Sequence, residues 1–200
     1  RVCMGGTDGL RVAGDQRAVA EAFEQLREAA EQIGLHFNTD KCEVIPVAGH
    51  HSQMDHTLFP PDTIYREDGN FELLGGPIGD TLHCNQHTQE RVDKATRVLE
   101  ALGELPEDPQ CALLLLRHCA SFGKLVYSMR VVPHHAHRAA LQQFDAAVQA
   151  SLESFLCCSL DPLEWKLATL TTKLGGLGLR STALHSSAAY YASHAACHEE

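Results

Sequence analysis

Two hundred residues with 44% hydrophobic content are enough for one or two small domains with real cores, and they exclude a disordered chain. A formal net charge of -10 argues against a free-standing nucleic-acid binder, which usually presents a basic face. No run of about 18 apolar residues occurs, so no membrane partner is expected.

In chain order, residues 1–14 read as a β-hairpin turning at Asp8-Gly9, a strong turn pair, with Leu10, Val12 and Ala13 in its second strand. Asp15 is placed to cap a helix. Val19, Phe23, Leu26, Ala30 and Ile33 recur at three- and four-residue spacing and give that helix one buried face. Gly34 can end it in the left-handed conformation. Asn38, Thr39 and Asp40 are turn formers that deliver Lys41 to the mouth of a strand over 42–46. Residues 49–70 read as a long loop, extended at most at Thr63-Ile64-Tyr65. A strand over 71–74 follows and closes on Gly75-Gly76-Pro77. Residues 65–74 are expected to form a hairpin around Glu67-Asp68-Gly69-Asn70.

From residue 88 the periodicity is purely helical. One helix over 89–105 carries Val92, Ala95, Val98, Leu99 and Leu102 on one face. A second starts at Asp108-Pro109 and is expected to run to about 130. A third starts at Pro133, with Leu141, Phe144, Val148, Leu152 and Phe155 inward, and a fourth is capped by Asp161-Pro162. After a break at Gly175-Gly176-Leu177-Gly178, a small-residue helix covers 181–198. The fold class expected is α+β: a small antiparallel sheet that includes 42–46 and 71–74, one helix packed on it, then an all-α bundle.

Eight Cys and 13 His raise the question of disulfides or metal. The chain is not small and shows no secretory signal, so reduced cysteines in an intracellular protein, nuclear or cytoplasmic, fit better. Three groups have partial ligand spacing: His83, Cys84 and His87; Cys111, His118 and Cys119; His194, Cys197 and His198. None has the paired C-x-x-C form of a structural zinc site.

The order of three stretches adds a further reading: Thr7-Asp8-Gly9, then Gly34-Leu35-His36-Phe37-Asn38-Thr39-Asp40-Lys41-Cys42-Glu43, then Leu73-Leu74-Gly75-Gly76-Pro77-Ile78-Gly79. This order resembles the last part of the palm of a reverse transcriptase, an RNA-directed DNA polymerase of non-LTR retrotransposon type. Gly175-Gly176-Leu177-Gly178-Leu179-Arg180-Ser181 resembles a segment beyond the thumb of such polyproteins. The resemblance implies a palm end over 1–80, a thumb-like helical domain over 81–160 and a helical connector over 161–200. It implies two Mg²⁺ ions held by hairpin aspartates, with Asp8 as catalytic and metal ligand. Here the hairpin is degenerate, because Thr7 stands where the first of those aspartates is expected. The resemblance also implies Lys41 near the nucleotide phosphates and Leu74, Gly75 and Gly76 as the primer grip. Arg91, Lys94, Arg117 and Lys124 become nucleic-acid contacts. The implied partners are an RNA template, a DNA primer and the remaining palm and fingers.

Beginning at Arg1, the chain is expected to be a piece of something longer, inactive alone as a nucleotidyltransferase. The alternative is a non-catalytic helical protein-interaction module or a decayed element fragment. Residue by residue, simpler roles stand beside these: Asp8 as a turn residue, Lys41 as a solvated lysine, the basic residues as solvated helix faces.

Overall fold

The computed structural model describes residues 2–5, 10–46, 54–103 and 108–198. Its contacts divide it into two compact units, 1–83 and 84–200. It is mostly helical with a small set of strands in two sheets, an α+β composition. Among the described residues, no helix is long and apolar enough to cross a membrane.

In the first unit, strands β1 (Val2–Gly5) and β2 (Arg11–Gly14) pair antiparallel, Val2 opposite Gly14 and Gly5 opposite Arg11. The Asp15 side chain accepts from the Arg17 N–H at 3.1 Å and starts helix α1 (Gln16–Gln32). This cap satisfies one of the N–H groups that a helix start leaves open. Val19, Ala20 and Phe23 of α1 are buried with Cys42, Val44 and Phe59, and Phe37 packs edge-on to Phe23. The expected face fades towards the C-terminus of the helix, where Ile33 is 73% exposed. Strand β3 (Glu43–Pro46) returns antiparallel to β1, and β4 (Ile64–Tyr65) joins β3 in parallel, giving the order β2-β1-β3-β4.

Two expectations for this unit are corrected. Residues 65–74 do not form a hairpin: the Ile64 and Arg66 N–H groups donate to Cys42 and Val44 carbonyls, so Tyr65 is committed to β3. Nor does 71–74 share the sheet of 42–46. Strand β5 (Phe71–Leu73) pairs only with β6 (Gly76–Ile78), in a separate two-stranded sheet.

Helix α2 (Thr81–Gly103) leads into the second unit. Asp108 and Pro109 start α3 (Pro109–Leu115) as expected, with the Asp108 carboxylate accepting the Gln110 and Cys111 N–H groups. The single helix expected over 109–130 is broken. It widens into a π-turn over 116–120, where the Ser121 N–H reaches back to the Leu116 carbonyl at 3.0 Å. A 3₁₀ turn at 122–124 precedes α4 (Val126–Val131). The Ser121-Phe122-Gly123 stretch supplies the physical reason. Glycine costs about 1 kcal/mol in a helix interior, and the Ser121 hydroxyl competes for the Arg117 carbonyl.

Helix α5 (His134–Leu156) ends on Cys157 in the left-handed conformation. Helix α6 (Pro162–Thr169) begins with a reciprocal capping box between Asp161 and Glu164. Helix α7 (Thr182–Cys197) packs on α4 and α5. The core joins Val92 and Leu99 of α2, Leu116, Leu125 and Met129, and Leu141, Phe144 and Leu152 of α5. Ala168 and Leu179, from the stretch expected to be a connector, belong to the same core. Burying each large side chain is worth about 1.5–3 kcal/mol, so this core dominates the stability of the unit.

Candidate nucleic-acid interface

Asp8 and Thr7 lie outside the described residues. The two strands that flank them are paired, so the hairpin is present while its tip is not described. Among the described residues no three His, Cys, Asp or Glu side chains come together in a metal-holding group, and this includes the three His/Cys groups singled out above. No described donor set fits Mg²⁺.

Lys41 closes a 3₁₀ turn over Thr39–Lys41 and is exposed. The turn is anchored just beyond it. The Cys42 thiol is buried, donates to the Asn38 carbonyl at 3.4 Å, and is pushed up from its ordinary pKa by burial. Lys41 therefore projects from a fixed base, and no described carboxylate pairs with it.

The β5–β6 connection differs in detail from the expected Gly75-Gly76 turn. Gly76 is already in β6, opposite Leu73, and is buried. The two turn residues are Leu74 and Gly75, at φ 51° and 74°. A two-residue hairpin with both φ positive matches the right-handed twist of its strands. Leucine is a poor residue for that conformation, and Leu74 is 84% exposed at the tip. The hairpin is tied at two points. The Arg11 guanidinium of β2 donates to the Glu72 carbonyl at 3.3 Å. At the base, the Asn70 amide exchanges hydrogen bonds with Asp80, whose carboxylate also accepts the His83 N–H at 2.7 Å. The His83 N–H, then the Asn70 side chain, hold the Asp80 carboxyl below the usual carboxylate range.

In the second unit the four basic candidates separate. Arg91 of α2 lies over the Tyr127 ring, 5.3 Å from its centre. Lys94 and Lys124 are exposed. Arg117 instead lines a cleft of about 500 Å³ together with Lys173 and Arg180. Neither Lys173 nor Arg180 was expected as a site residue. The available signal was their position on either side of the Gly175–Gly178 stretch, which folds back on α6. The Leu177 and Gly178 N–H groups donate to the Ala168 and Leu170 carbonyls at 3.1 and 2.8 Å. These bonds satisfy carbonyls that a helix end leaves open, and they bring both cations to Arg117.

No family model, no curated protein and no solved structure matches this chain.

Proposed function

We propose that these 200 residues are the end of a palm (1–80), a thumb-like helical domain (81–160) and connecting helices (161–200) of a non-LTR-type reverse transcriptase. By themselves they do not polymerise DNA. The observation that carries this reading is the layout of the first unit. A hairpin is followed by a helix packed on its sheet and a return strand introduced by Lys41. A tight second hairpin follows, whose backbone is reached by Arg11 of the first. In this reading Leu74, Gly75 and Gly76 hold the primer end. Lys41 faces nucleotide phosphates, where an ammonium stabilises developing charge. The helices hold a duplex through its backbone, independent of sequence. Two-metal transfer needs several carboxylates around paired cations about 3.5–4 Å apart. Asp8 alone cannot supply them.

Two measurements test this. Primer extension on a primed RNA template with Mg²⁺ or Mn²⁺ is expected to give no product; extension abolished by Asp8→Ala would show the hairpin to be competent. A photoreactive phenylalanine analogue in place of Leu74 is expected to crosslink to the terminal primer nucleotide of an RNA–DNA duplex. Crosslinks spread evenly along the duplex, or none, would refute the primer-grip role.

The alternative of a helical interaction module has its own observation. Leu156 and Leu167 are exposed in the wall of an apolar cleft of about 230 Å³ beside α6, and Leu163 of the same helix and Leu174 are exposed as well. A change in oligomeric state on replacing Leu163 and Leu167 by Ser would favour it.

A further inference from the structure

We propose that the cleft of Arg117, Lys173 and Arg180 is a binding site for a ligand that carries two or more adjacent phosphate groups. The proposal rests on the second unit alone and does not depend on the polymerase reading.

Charge is the first argument. The chain has 16 Lys and Arg against 26 Asp and Glu, yet three basic side chains line one cleft that has no acidic residue in its wall. No described carboxylate forms an ion pair with any of the three. Like charges held together without a counter-charge repel one another, and an anionic ligand would relieve that.

Geometry is the second. Arg117 comes from the π-turn over 116–120, and its guanidinium lies directly on the backbone of Gly178. A Cβ at position 178 would stand 3.0 Å from Arg117 Nε, and the φ there is +76°, so a side chain is disfavoured on both counts. The Arg180 guanidinium is held over the Phe122 ring, 5.5 Å from its centre. Two guanidinium forks are thus pre-positioned, and the guanidinium is the group best matched to phosphate oxygens. Thr171 and Thr172 add hydroxyls beside Lys173.

Size is the third. About 500 Å³ falls within the range of small-molecule sites, roughly 300–1,000 Å³. It exceeds what one inorganic phosphate fills, and three cations exceed what one monocarboxylate neutralises. Two sources share this chemistry: a nucleoside polyphosphate or a stretch of nucleic-acid backbone.

The test uses the full chain and two probes, inorganic triphosphate by calorimetry and a fluorescein-labelled oligothymidylate of roughly six nucleotides by anisotropy. At least one probe is expected to bind at low salt. Triphosphate without the oligonucleotide identifies a small phosphate ligand; a tighter oligonucleotide with a steep salt dependence identifies a strand. Lys173→Gln with Arg180→Gln is expected to weaken binding at least about tenfold. Both side chains are exposed, so an unchanged thermal midpoint should accompany the loss. Arg117→Lys, which keeps the charge and removes the fork, is expected to weaken it several-fold. Arg138→Gln with Lys166→Gln removes the same charge from exposed positions outside the cleft and should leave affinity within about twofold. Absence of binding by both probes at about 50 mM salt would overturn the proposal. So would an equal loss in the control pair.

Discussion

The turn at 74–76 and the turn at 174–178 both open with the letters Leu-Gly-Gly, and both end a run of regular structure. The first is held by its own strands. Leu73 pairs with Gly76, and the tip presents a leucine to solvent. The second is held by what it lies on. At Gly176 an added Cβ would stand 2.2 Å from the Leu170 carbonyl oxygen and 2.6 Å from that of Leu167. Leu179, just beyond, is 1% exposed. A glycine pair is therefore not one device. In the first turn Gly75 supplies backbone freedom, and in the second Gly176 supplies room for another backbone.

The largest expected effect breaks this contrast directly. Gly176→Ala forces two carbonyls apart and should cost the helical unit at least about 3 kcal/mol. Gly75→Ala only strains one left-handed residue and should cost about 1 kcal/mol. Urea or thermal unfolding of both variants checks it; equal losses would mean that the second turn is no tighter than the first.

A second prediction separates the two units by pH. His137 is 0% exposed. The Thr88 hydroxyl donates to the Cys84 carbonyl, so His137 Nδ1 must donate to Thr88 Oγ1, 3.2 Å away. Nε2 is then a buried acceptor, and it has no partner among the described residues. Burial, with His134 and His135 nearby, lowers the pKa from 6.5 to about 4. A buried neutral imidazole stabilises the fold fully above pH 6.5. As pH falls from 6.5 to about 4 the unfolded chain takes up the proton first, and stability is lost by up to about 3 kcal/mol. His137→Asn, which keeps a donor towards Thr88, should flatten that slope; an unchanged slope would assign the acid sensitivity elsewhere.

A smaller loss is expected at the clasp that follows the second turn. Asp145 of α5 accepts from the Ser181 and Thr182 hydroxyls at 2.6 and 2.8 Å and from the Thr182 and Ala183 N–H groups at 2.8 and 3.2 Å. Asp145→Ala strands these donors at the start of α7 and should cost about 2 kcal/mol. Asp145→Asn should cost less, because one amide oxygen can still accept. Hydrogen exchange confined to α7 would show that the clasp holds that helix alone.

What was legible in the sequence follows the same division. The caps at Asp15, Asp108 and Asp161 could be read because each is a local contact between a side chain and the next turn. The inward face of α5 was legible too, from Leu141 to Leu152, because the period reports burial directly. The pairing of Tyr65 with β3 was not, since a two-residue parallel strand leaves no period to count. The break at Ser121 was hidden because Leu116, Leu125 and Met129 stay inward across it. Of the candidate sites, the turns at Lys41 and at 74–76 could be placed from local turn chemistry, while the roles expected of them came from the resemblance alone. The cleft could not. Arg117 is 56 residues from Lys173 in the chain, and only the fold-back of the second turn over α6 joins them.

The smallest predicted effect has the opposite sign. Leu74 is strained at φ 51° and its side chain is exposed. A leucine there loses stability relative to a residue suited to the left-handed region, by about 1 kcal/mol. Asparagine tolerates that region, and Asn-Gly is a strong pair for this turn. Leu74→Asn should therefore stabilise the chain by about 1 kcal/mol, read as a raised unfolding midpoint. Strain kept on an exposed apolar side chain is what a contact site would retain against stability. The same variant should then bind a primed RNA–DNA duplex more weakly than the parent at equal salt. A stabilised variant with undiminished duplex binding would separate the two effects. It would leave Leu74 as a strained turn residue with no part in holding a primer.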